Sequence, residues 1–180
     1  MRYFAVVFMF FLSACVGIPE GIEPVQDFEA DRYLGQWYEI ARLDHAFERG
    51  LEQVSADYSR RQDGGLNVIN RGFDTQAKTW QQARGKAYFV GNSDLGHLKV
   101  SFFGPFYASY LIFDLGTDYQ YSLVTSNNRS YLWLLSRTPK ITDALKGDLL
   151  NKLANLGFKT QDLIFVKQTC AAGTGNKQDG

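Results

Sequence analysis

Apolar and polar positions alternate along most of the chain. Val54, Ala56 and Tyr58 are separated by Ser55 and Asp57, a period of two that predicts a strand with one buried face. Asp63-Gly64-Gly65 carries hairpin-turn chemistry, and Leu66, Val68 and Asn70 continue the alternation on a return strand. Gly35–Leu43 precedes this pair. Trp80–Val90, Leu98–Phe103, Ser109–Leu115, Tyr119–Thr125 and Tyr131–Ser136 follow it, punctuated by Gly91-Asn92-Ser93-Asp94, Gly116-Thr117-Asp118 and Ser126-Asn127-Asn128. Eight strands on short links predict an all-β, antiparallel up-and-down meander. Closing it into an eight-stranded β-barrel leaves the sheet without edges.

The period changes near the C-terminus. Pro139 stops the last strand, and Thr142 is placed to cap an α-helix whose Leu145, Leu149, Leu150 and Leu153 make an apolar stripe for packing outside the barrel. Gly157 can end that helix, and Leu163–Val166 reads as a short extra strand.

The first residues follow a different logic. Arg2 precedes an uncharged run, Tyr3–Leu12, far shorter than the roughly 20 apolar residues a spanning helix needs. Leu12-Ser13-Ala14-Cys15 resembles a bacterial lipobox, so residues 1–14 are expected to be a cleaved signal peptide and Cys15 the lipidated first residue. Two or three acyl chains hold a protein on a membrane stably where one does not. Val16 stands where an Asp would resemble an inner-membrane retention signal, which points to the outer membrane, facing the periplasm. Residues 15–30, with Gly17, Pro19, Gly21 and Pro24, read as a tether; 31–169 as one domain; 170–180 as a disordered tail. Acylation consumes the Cys15 thiol, leaving Cys170 without a partner.

Loss of the signal leaves 166 of 180 residues, with 18 basic against 19 acidic side chains. The basic residues are scattered, which argues against nucleic acid as a partner. His45 and His97 are 52 positions apart, and no Ser or Cys sits in a nucleophile-elbow context. Neither metal-ligand spacing nor a phosphate-cradling glycine loop is present, so no enzyme, metal or cofactor is expected.

Gly35-Gln36-Trp37-Tyr38 matches the Gly-x-Trp signature that opens the first strand of lipocalins. Thr117-Asp118-Tyr119 resembles the family's second motif, and Arg137-Thr138-Pro139 its third, followed by the helix. "DRYLGQWYEIARLDHAFERGLEQVSADYS", "GGLNVIN" and "LKVSFFGPFY", together with the lipobox, resemble the Blc-type bacterial outer-membrane lipoprotein lipocalins. The resemblance covers Tyr33 to about Thr169. It implies a lipocalin (calycin) barrel, binding of fatty acids or lysophospholipids, a role in envelope maintenance, and a homodimer. It further implies that Gly35, Trp37, Asp118, Tyr119 and Arg137 are fold residues, with Trp37 filling the closed base and the Arg137 guanidinium over its indole.

Counting by twos from Trp37 turns Glu39 and Ala41 inward and Tyr38 and Ile40 outward. Val54, Ala56, Tyr58, Val68, Asn70, Phe89, Val100, Phe102, Tyr110, Ile112 and Trp133 complete the inward set. Together they suit an acyl chain with its polar head near the mouth, and each is equally readable as core packing. A carboxylate at Glu39 must be paired, hydrogen-bonded or protonated; pairing with a barrel-lining Arg or Tyr competes with contact to a lipid head group. Arg42, His45, Glu48 and Arg49 read as a solvated face, with phosphate recognition at the mouth as the rival. The alternative function is an envelope lipoprotein with a side-chain-filled barrel, acting by protein contact through a patch of Phe102, Phe103, Phe106 and Tyr107.

Overall fold

The computed structural model describes residues 16–168. The expected signal peptide, the expected lipidation at Cys15 and the expected tail with Cys170 lie outside the described residues. The strands are β1 (Gly35–Arg42), β2 (Leu51–Arg60), β3 (Leu66–Asp74), β4 (Thr79–Phe89), β5 (His97–Ser101), β6 (Ala108–Leu115), β7 (Tyr121–Thr125) and β8 (Leu132–Ser136). Each pairs antiparallel with the next, and β1 pairs with both β2 and β8, which closes the barrel. A one-turn helix α1 (Ala30–Tyr33) precedes β1; helix α2 (Asp143–Asn155) and a two-residue strand β9 (Ile164–Phe165) follow β8.

Odd-numbered strands run from base to mouth. The connections 43–50, 75–78, 102–107 and 126–131 therefore sit at the mouth, and 61–65, 90–96 and 116–120 at the base. The β2–β3 and β3–β4 hairpins are longer than expected from alternation, because pairing carries them up to Asp74 and Thr79. Tyr119 lies in the β6–β7 turn at φ 56°, two residues before β7 begins.

Two apolar cores lie on the two faces of the wall. Inside are Phe28, Tyr33, Trp37, Ala56, Tyr58, Leu66, Val68, Ile112, Val124 and Leu135. Outside, Leu149 and Leu153 of α2 cover Ile40, Ala41, Leu111, Leu123 and Leu134. Thr142 Oγ1 accepts the Leu145 N–H at 3.2 Å, the expected cap. Phe158 just beyond the helix stacks on Phe113, with ring centroids 5.4 Å apart.

From Val16 onward the segment read as a tether is instead part of the domain. Ile22 is buried under the α2 core, and the Val25 N–H donates 2.9 Å to the Ile112 carbonyl. Phe28 then turns into the barrel, its N–H bonded 2.8 Å to the Asp94 carbonyl. Ile22, Val25 and Phe28 supply enough apolar contact to hold an extended strap despite the glycines and prolines around them.

Candidate functional site

The site is built on an irregularity in β1. Glu39 pairs with Leu135, but the next matched pair is Ala41 with Leu134, so Ile40 is an extra residue in the ladder. The bulge turns Ile40 and Ala41 both toward α2 and brings Arg42 inside, opposite Trp133. The expectation that Ala41 faces the interior is thus corrected: counting by twos fails where one strand carries an extra residue.

Arg42, 2% exposed, is the hub of a buried polar cluster under the β1–β2 connection. Its Nη1 donates 2.7 Å to Glu39 Oε1, and its Nη2 donates to the carbonyls of Glu48 at 2.7 Å and Leu51 at 3.3 Å. Trp133 Nε1 donates 3.1 Å to Glu48 Oε2, and His45 Nε2 lies 3.1 Å from the same oxygen. Arg42 Nε and both His45 ring nitrogens are buried without an aligned hydrogen bond.

The solvated-face reading therefore holds only for Arg49, which is exposed and paired with Asp44; Arg42, His45 and Glu48 are buried. Burial, and next the charge of Glu48, push the Glu39 carboxyl well above the usual range, with Arg42 opposing. Burial also acts on Glu48, but the contacts with His45, Trp133 and Arg42 outweigh it and hold this carboxyl below its ordinary range. Arg42 thus stands between two carboxyls whose surroundings push them in opposite directions, Glu39 upward and Glu48 downward.

Toward the base, three phenols meet. Tyr110 Oη lies 2.7 Å from Tyr58 Oη and 2.9 Å from Tyr33 Oη, and Tyr33 Oη lies 3.2 Å from Ser122 Oγ. Burial pushes Tyr33 up to about 12, and drives Tyr58 and Tyr110 well above the ordinary phenol value. They are neutral hydroxyls, able to donate as well as accept.

Around cluster and phenols the inward wall is mostly apolar. Val54, Ala56, Val68 and Ile112 are buried, while the inward Val100, Phe102, Tyr110, Trp133 and Asn70 keep partial exposure, and Phe89, at the base end of β4, keeps its own beside Phe28, Ser93 and Asp94. Asn70 Oδ1 is buried without a hydrogen-bond partner. Gly85 clears room for Phe102: a Cβ there would come within 2.8 Å of the phenyl ring. The proposed aromatic patch on 102–107 divides, with Phe102 inside, Tyr107 half-buried, and Phe103 and Phe106 in solvent.

The base is closed by the motif residues. The Arg137 guanidinium sits 3.9 Å from the Trp37 ring centroid and donates to the carbonyls of Gln36 at 2.9 Å and Arg32 at 2.6 Å. Gly35 at φ 86° lets the chain turn beneath it. Tyr119 Oη accepts the Glu29 N–H at 2.9 Å, and the Asp118 N–H donates 3.0 Å to Gln120 Oε1.

Arg42, Tyr33 and Ser122 were not among the residues read as interior. Arg42 is reachable only through the bulge. Tyr33, four residues before Trp37 and bonded to its indole N–H through its carbonyl at 2.8 Å, carried a spacing signal that could have found it.

Residues 28–168 match the lipocalin-like domain family. The chain is 52% identical to the outer membrane lipoprotein Blc of Vibrio cholerae serotype O1, over 87% of this chain and 92% of that protein. It is 53% identical to the outer membrane lipoprotein Blc of Escherichia coli K12, over 83% and 85% of the two chains. Insecticyanin from the tobacco hornworm Manduca sexta has the same fold, with TM-score 0.67 at 19% identity over 87% of this chain and 89% of that one.

Proposed function

The chain belongs to the lipocalin family, and we propose that it is an outer-membrane lipoprotein that binds a single-chain lipid in the barrel. The acyl chain lies among Val100, Phe102 and Trp133, and fatty acids and lysophospholipids are the ligand classes. The protein stores or transfers such lipids in envelope maintenance, facing the periplasm from its acylated Cys15. It acts by binding rather than by catalysis.

The observation that carries this reading is the partial exposure of side chains that point into a closed barrel. Inward aromatic and aliphatic groups retain accessible surface only where the interior is not filled, and the unpartnered Asn70 Oδ1 lies among them. Removing apolar surface from water is worth about 25 cal/mol per Å², which favours a long aliphatic ligand. The rival, a packed barrel acting by protein contact, keeps only Phe103 and Phe106 of its patch exposed.

Native mass spectrometry on the chain from residue 15, with Cys15→Ser, tests the reading. It is expected to take up one palmitate or lysophosphatidylethanolamine saturably, and Ala56→Leu, which narrows the lower interior, to weaken uptake of the longer chains first. Absence of uptake by a folded protein would sink it.

A further inference from the structure

The hydroxyls buried near the base hold one proton more than their contacts use. Ser122 Oγ, Tyr33 Oη, Tyr110 Oη and Tyr58 Oη form a line joined by three contacts, of 3.2, 2.9 and 2.7 Å. Each hydroxyl brings one proton, and each contact consumes one. Four hydroxyls on three contacts therefore leave one O–H without an acceptor among the described residues. Rotating the hydroxyls moves this surplus along the line, so Tyr110 presents it when Tyr33 and Tyr58 both donate to its oxygen. Ser122, Tyr33 and Tyr58 are buried, while the inward-facing Tyr110 keeps partial exposure.

An acceptor with nothing to accept from stands beside this line. Asn70 is opposite Ala56 in the β2–β3 ladder, and Tyr58 is opposite Val68. Asn70 and Tyr58 are thus diagonal neighbours on the inward face, about 7–8 Å apart. Asn70 Oδ1 is buried without a partner. Packing does not call for these groups, since phenylalanine and leucine would fill the same places without stranding polar atoms.

A methylene chain offers them nothing. A hydroxyl offers both functions: its oxygen takes the surplus proton, and its own proton goes to an acceptor such as Asn70 Oδ1. The height of the line decides which part of a ligand it meets. Tyr58 pairs with Gly35, the first residue of β1, and Tyr33 ends α1 just before that strand. Both belong to the base end, so a chain with its head at the mouth brings its far half here.

We propose that Tyr33, Tyr58, Tyr110, Ser122 and Asn70 form a subsite for a hydroxyl on the far half of the acyl chain, so that the barrel prefers hydroxylated fatty acids to unsubstituted ones. The inference rests on the proposed binding of an acyl chain in the barrel and names the chain chemistry favoured there. Selectivity arises because an unsubstituted chain shuts the surplus O–H and the Asn70 oxygen away from water without replacing its bonds.

Calorimetric titration of the chain from residue 15, with Cys15→Ser, tests the subsite. It is expected to bind 12-hydroxystearate about tenfold more tightly than stearate, and 2-hydroxystearate no more tightly than stearate. The 12-oxo acid, which accepts but cannot donate, is expected to fall between. In Tyr58→Phe/Tyr110→Phe the ratio of 12-hydroxystearate to stearate affinity is expected to drop to near one. Asn70→Ala is expected to erase the advantage of the 12-hydroxy over the 12-oxo acid. The parent's own ratio carries the test should a variant fold poorly.

Equal affinity of the parent for stearate and 12-hydroxystearate would overturn the subsite and leave acyl-chain binding standing, with water closing the polar groups. A gain shared by the 2-hydroxy acid would overturn it too, since the oxygen would then be read near the head. So would a ratio that survives in a folded double-phenylalanine variant. A folded parent that takes up none of these acids would instead sink the proposed function, and the subsite with it.

Discussion

The two ends of the barrel use the same kinds of side chain to opposite effect. At the base, Arg137 rests on Trp37 with its two donor groups satisfied by carbonyls, and Tyr33, Phe28 and Tyr119 pack around them. At the mouth, Arg42 is buried between two carboxyls, its Nε and the His45 ring lack aligned partners, and Phe47 stacks on His45 while still facing solvent. An arginine over an indole with filled valences stabilises. An arginine buried among excess carboxyls holds a shape at some cost in stability. The base is therefore the stability end, and the mouth the end whose polar groups are left able to respond.

The largest effects should separate the two ends. Trp37→Ala removes the base plug and is expected to cost about 3–5 kcal/mol in urea unfolding. A much smaller loss would mean that the base is not the stability end. Arg42→Ala is expected to cost about 3–5 kcal/mol by stranding the Glu39–Glu48 pair. Its distinguishing sign is faster amide exchange in 43–50 with protection of β1–β2 near Gly35 and Tyr58 retained. Uniform loss of protection would erase the contrast.

Arg137→Leu should be milder, about 0.5–2 kcal/mol, with lipid uptake unchanged because the residue touches the base alone. A drop in uptake would show the ends to be coupled.

The smallest effects concern pH. Glu39 titrates higher folded than unfolded, so its stabilising contribution is full below its ordinary value near 4.5 and is lost as pH rises through the folded value. Glu48 is the reverse: its contribution is present above 4.5 and lost as pH falls through its lowered value. Thermal melts of Glu39→Gln should flatten the alkaline-side decline, and those of Glu48→Gln the acid-side one. If Glu39→Gln leaves the profile as it is, the acid is not protonated in the fold.

The strand pattern and the helix with its Thr142 cap were legible because each depends on neighbours in sequence, whereas the base, where Arg137 meets the distant Trp37, was expected only from the family resemblance. Val54, Ala56 and Tyr58 report the inward face of β2 by alternation alone, and the structure places all three inside. Arg42 was not legible. Its charge, next to Asp44, is the ordinary mark of a solvated loop, and only the extra residue at Ile40 buries it. Residues 16–30 misled in the same way, since glycine and proline signal irregular backbone but not whether Ile22 and Phe28 find a wall to pack on.

By itself, then, the sequence determined the barrel and its helix, since periodicity and capping are local and burial of one face follows from them. Tertiary structure alone decided which charges are buried at the mouth, where the phenols converge and where the N-terminal strap packs. Those outcomes depend on a single added residue in a ladder and on contacts between segments as far apart as Glu20 and Arg129. No local pattern records either.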